Sequence, residues 1–72
     1  MKVKIRLDTL SDINKFARIA SGIPVPVKVV DDSDHCVNAK SILGMMYSME
    51  WSEIWCICDE DIYESIKDFV II

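Results

Sequence analysis

Lys2-Val3-Lys4-Ile5-Arg6-Leu7 sets Val3, Ile5 and Leu7 on one side of an extended chain and Lys2, Lys4 and Arg6 on the other. That period of two is the signature of a strand with one face on a core and one in water. The pattern then changes to a helical one. Leu10, Ile13, Phe16, Ala17 and Ala20 recur at three- and four-residue intervals, Thr9 with Asp12 suits a capping box, and Gly22 followed by Pro24 is a natural stop, so a helix is expected over about residues 10 to 21. Residues 25 to 30 read as a second strand, with Val25, Val27 and Val29 on one face and Pro24 and Pro26 confined to its beginning or an unpaired position. Asp31-Asp32-Ser33-Asp34 is a turn, and His35 to Asn38 leave room for a short returning strand. Ser41 then caps a helix carrying Ile42, Met45, Met46 and Met49 at helical spacing; one account turns Met45 and Met49 toward the core and leaves only Leu43 and Met46 for partners. Residues 53 to 58 form a last strand. Asp59, Glu60 and Asp61 suit the start of a final helix, with Ile62, Ile66, Phe69 and Val70 as its buried stripe.

The resulting order, β-α-β-β-α-β-α, most economically makes a single α+β domain over 1–72: a four-stranded antiparallel sheet with its helices on one face, an open-faced two-layer sandwich. The other face should be wet. Lys2, Lys4, Arg6 and Lys28 suit it, whereas Trp55 and Ile57 need cover or a partner; the stems of Lys4 and Arg6 over Trp55 would supply cover if the first and last strands are neighbours. Covered residues are the favoured account, so the face allows a weak homodimer without demanding one and the chain is expected as a monomer or a weak homodimer.

The chain has 72 residues, 51% hydrophobic and 28% charged, which is the composition of a small packed globule. Its net charge of −4 disfavours phosphate backbones and anionic lipid, so neither nucleic acid nor membrane is an expected partner. No apolar run is long enough to cross a bilayer, and the start alternates charge with apolar residues instead of forming a signal peptide's block; a cytoplasmic protein is expected. The three cysteines, Cys36, Cys56 and Cys58, then read as reduced thiols.

The run Val37-Asn38-Ala39-Lys40-Ser41-Ile42-Leu43-Gly44-Met45-Met46 resembles the hallmark of the HPr family, the small phosphocarrier proteins of the bacterial sugar phosphotransferase system, and is most similar to its regulatory branch, Crh. The resemblance implies an HPr-like sandwich in which the third strand is the sheet edge opposite the first. It also implies a phosphorylatable histidine and an arginine at the start of helix one. The aligned residues are instead Thr9 for the histidine, Ser11 for the arginine and Asp12 for the following proline. Thr9 forms no labile phosphoramidate and Asp12 repels phosphate, so the former active site is degenerate and carrier chemistry is not expected. His35 sits on a turn about three strand spacings, roughly 14 Å, from that position and reads as a solvated residue.

Ser41 is where the family pattern survives. The matching serine is the target of a regulatory kinase in HPr-like proteins of Gram-positive bacteria, and the residues implied for partner docking are Ile42, Leu43 and Met46. The plain alternative is that Ser41 only caps its helix. The resemblance thus implies a non-enzymatic regulatory domain in carbohydrate uptake or catabolite control, with HPr kinase or a transcriptional regulator as protein partners and no cofactor. Trp51, in the loop that borders the phosphohistidine in the family, implies a filled or repurposed site instead of an open acceptor.

A rival reading uses Cys56 and Cys58 with Cys36 and His35 as a metal or redox module. Against it, structural zinc sites favour turn-borne Cys-x-x-Cys, and cysteines in an apolar strand behave as small hydrophobes. Asp31, Asp32 and Asp34 lack the glycine and closing glutamate of a calcium loop. No nucleophile elbow or phosphate-binding glycine loop is present, so nothing argues for an enzyme.

Overall fold

The computed structural model describes residues 1–71. The strands are β1 (Lys2–Ile5), β2 (Val27–Asp31), β3 (Cys36–Asn38) and β4 (Ile54–Cys58), and the helices are α1 (Leu10–Ser21), α2 (Ile42–Tyr47) and α3 (Tyr63–Ile66). They form one antiparallel sheet in the order β1-β4-β2-β3 with three helices, an α+β architecture. β3 is the edge opposite β1.

Register assigns the two faces. Val3 pairs with Cys56 and Cys56 with Val29, while Ile5 pairs with Ile54; these residues, with Val27 and Cys58, face the helices. Ile13, Phe16 and Ala20 of α1, Met45 of α2 and Ile66 of α3 join them in one core cluster. Phe16, completely buried, meets the ring of Phe69 edge-on at 5.6 Å. On the opposite face lie Lys2, Ile57, Lys28 and Asn38 in one row and Lys4, Trp55, Val30 and Cys36 in the next.

Element bounds differ from the expected ones for identifiable reasons. β1 stops at Ile5 because its partner strand β4 begins opposite it, at Ile54; the other edge of β1 is met by residues 69–71, with Arg6 N–H donating to Phe69 O at 2.8 Å, Ile71 N–H to Lys4 O at 2.9 Å, and Ile5 bridging Val70. β2 begins only after Pro26, which has no N–H to give to the ladder. The last helix is much shorter than its apolar spacing suggests. α3 lacks a side-chain cap, tightens to a 3-10 turn over Lys67–Phe69, and releases Val70 to β1, so Val70 belongs to the sheet edge rather than to a helical stripe. Asp59, Glu60 and Asp61 precede its first turn instead of occupying it, Asp61 Oδ1 accepting from Tyr63 N–H at 3.0 Å.

Of the two methionines that one account turns toward the core, Met45 is buried and Met49 is not. α2 ends at Tyr47 and passes into a 3-10 turn over Ser48–Glu50, where Ser48 Oγ donates to Met45 O at 2.6 Å. The tighter turn rotates Ser48 inward and leaves Met49 exposed.

Candidate functional site

The head of α1, where the resemblance implies a histidine site, is closed by the chain itself. Thr9 Oγ1 accepts from Asp12 N–H at 3.1 Å, while Asp12 Oδ2 accepts from the N–H groups of Asp8 at 3.0 Å and Thr9 at 3.3 Å. This reciprocal capping box satisfies donors that an incoming anion would otherwise use, and it does so with a carboxylate. Thr9 and Ser11 are exposed, and among the described residues no histidine or arginine side chain bonds to this turn.

The head of α2 has the same cap without the counter-acid. Ser41 is half-buried; its Oγ accepts from Gly44 N–H at 3.1 Å and its O from Met45 N–H at 2.9 Å. The preceding turn is rigidly held: Asn38 Oδ1 accepts from Lys40 N–H at 2.9 Å, and Ala39, completely buried, donates to Val27 O at 2.9 Å. The Lys40 ammonium does not lie free beside Ser41, because it donates to Ile23 O at 2.6 Å.

Beyond Ser41, α2 buries one side chain, Met45, and exposes the rest. Ile42, Leu43, Met46 and Tyr47 fall within about 140° of the helix circumference. Leu43 is 70% exposed, Tyr47 65%, Ile42 51% and Met46 45%. Three of these are the residues expected to dock a partner. Tyr47 was missed, although its spacing of four from Leu43 placed it on the same face.

His35 is exposed at the turn, as expected, and is also held there by two contacts. Its Nδ1 lies 2.8 Å from Asp31 Oδ2, and its ring stacks on Trp51 with centroids 5.8 Å apart. Asp31 Oδ1 also accepts from Ser33 N–H at 3.0 Å and His35 N–H at 2.8 Å. Partial desolvation opposes ionisation of Asp31, but the His35 side chain, these two N–H groups and the His35 charge outweigh it and hold the carboxyl below its ordinary value. Trp51 thus pins the β2–β3 turn. It also lines, with Arg6 and Asp8, a cleft of about 360 Å³ at the same end of the sheet.

The four residues of the rival metal or redox reading do not meet. Cys56 and Cys58 face the core, whereas Cys36 lies on the outer sheet face opposite Val30, and His35 is engaged by Asp31 and Trp51. Burial, reinforced by neighbouring Cys58, pushes the Cys56 thiol up to about 11, which keeps it protonated and weakly reactive. Among the described residues no group of three or more histidine, cysteine or acidic side chains is arranged to hold a metal ion. No described helix is long and apolar enough to cross a membrane.

Comparison with known proteins identifies no relative: no family model, no curated protein and no solved structure matches the chain.

Proposed function

We propose that this chain is a non-enzymatic, HPr-like regulatory domain that acts by protein–protein contact in the control of carbohydrate uptake or catabolism, without a phosphohistidine relay. The observation that carries the reading is the apolar outer face of α2, beginning directly after Ser41. Four large apolar side chains on one short helix form a surface suited to an apolar groove on a partner, with Met46 adaptable and Tyr47 offering a hydroxyl at the rim. The element order, the position of β3 at the edge opposite β1, and the run Val37 to Met46 support the HPr-like assignment. The self-closed head of α1 supports the loss of phosphate relay.

Ser41 is the switch in this reading. Phosphorylation would add about −1.5 to −2 charges beside Ile42 and Leu43 and convert an apolar face into an anionic–apolar one. It would select a partner bearing a cation next to an apolar groove, such as a transcriptional regulator, with HPr kinase as the modifying enzyme. The test is incubation with an HPr kinase and ATP followed by peptide mass analysis. Phosphate on Ser41, absent from Ser41→Ala, is expected; an unmodified protein would remove the switch. Leu43→Glu with Met46→Glu should abolish partner binding while the fold persists, and unaffected binding would remove the docking face.

A further inference from the structure

The sheet face away from the helices segregates charge in an otherwise acidic chain. Lys2, Lys4 and Lys28 project from it, no strand residue on that face is acidic, and it also carries Trp55, Ile57 and Val30. Register sets Ile57 between Lys2 and Lys28, and Trp55 between Lys4 and Val30. The ammonium groups of Lys2 and Lys4 stand over the Trp55 ring at 5.5 and 5.8 Å. At the end of the face Glu53 pairs with Lys4 at 2.8 Å, while neither Lys2 nor Lys28 has an ion-pair partner among the described residues.

We infer that this face is a second docking surface, distinct from α2, for a short extended segment of a partner protein in which acidic and apolar side chains alternate. Carboxylates would meet Lys2 and Lys28, and apolar side chains would cover Ile57, Val30 and the rim of Trp55. Size argues for a segment instead of a second copy. Four strands at about 4.8 Å and five residues at about 3.3 Å give roughly 300 Å², well below the ~800 Å² per partner of a stable interface. A symmetric pair would also set lysines against lysines. Nucleic acid is disfavoured because the net charge is −4 and two ammonium groups already occupy the ring on which a base would stack.

The full chain should be titrated with a synthetic peptide alternating Glu and Val, its Lys–Val counterpart and a short oligothymidylate. Amide NMR shifts map the site, and the Trp51→Phe variant isolates Trp55 emission. The acidic peptide is expected to shift β1, β2 and β4 resonances and the Trp55 emission. Its affinity should fall about tenfold or more at about 0.5 M salt and in the folded Lys2→Glu/Lys28→Glu variant. The Lys–Val peptide should not bind. Absence of acidic-peptide binding, shifts confined to α2, an unchanged affinity in the double variant, or tighter binding of the oligothymidylate would each overturn the inference. The α2 variant Leu43→Glu/Met46→Glu should bind the peptide normally, so the two surfaces fail or succeed separately.

Discussion

Thr9-Leu10-Ser11-Asp12 and Ser41-Ile42-Leu43-Gly44 begin their helices in the same way, each with a hydroxyl capping the third helical N–H, yet the two ends are suited to different work. At α1 the third position is an acid that reaches back to two backbone donors, and the helix is pinned over twelve residues by four buried side chains. At α2 that position is glycine, the helix has six residues, and Met45 alone is buried. One end is therefore finished structurally, while the other presents a half-exposed hydroxyl at the head of an apolar surface. Where the resemblance implies phosphate chemistry, α1 carries a carboxylate; where it implies regulation, α2 carries a serine followed by an apolar face.

The largest effect should come from breaking the anchored helix. Phe16→Ala removes a completely buried ring and its edge contact with Phe69, and should cost about 3–5 kcal/mol in urea unfolding, enough to leave so small a domain largely unfolded. Retention of a cooperative transition near the wild-type midpoint would show that α1 is not the anchor.

The sheet beneath both helices supplies a control that depends on pH. The Cys56 thiol is raised to about 11 from 9.0, so the neutral form is favoured on folding. This contribution is fully present below about pH 9 and is lost as pH rises toward 11, so the thermal midpoint should fall across that window and Cys56→Ala should flatten the fall. In native protein a thiol reagent should label exposed Cys36 rapidly and Cys56 and Cys58 only after unfolding.

The two caps should then separate stability from function. Asp12→Ala and Ser41→Ala should each lose about 1 kcal/mol, a fall of roughly 4–8 °C in thermal midpoint, whereas Ser41→Asp keeps an oxygen acceptor and should lose little. Gly44→Glu would give α2 the reciprocal acid that α1 has. A β-carbon there meets Ser41 Oγ at 3.4 Å, an acceptable contact, so a gain of about 0.5–1 kcal/mol is expected together with reduced kinase labelling. At the small end, Leu43→Ala should change stability by no more than about 0.5 kcal/mol while weakening partner binding, because its side chain is already in water.

The parts of this arrangement that were legible in the sequence are those set by local chemistry. The alternation of Val3 and Ile5 with Lys2 and Lys4, the Thr9–Asp12 box and the Ser41 cap require only neighbouring residues, and they stand where expected. Helix ends that depend on distant partners were not legible. Val70 leaves its helix because the edge of β1 needs partners, and Met49 turns outward because Ser48 bonds back to Met45. The stacking of His35 on Trp51 joins residues sixteen positions apart, and no local pattern announces it. The stems expected over Trp55 are those of Lys4 and Arg6; Lys2 and Lys4 cover it, since Lys4 pairs with it directly and Lys2 is the next residue of β1 on the same face, while Arg6 has already left the ladder.

Phosphotransfer tests the contrast between the two helix ends most directly. The chain is incubated separately with the general phosphotransferase enzyme plus phosphoenolpyruvate and with an HPr kinase plus ATP, and acid-labile and acid-stable phosphate are measured on the intact protein. No acid-labile phosphate is expected in the first reaction and one acid-stable phosphate, on Ser41, in the second. Acid-labile phosphate on the protein in the first reaction would contradict that contrast.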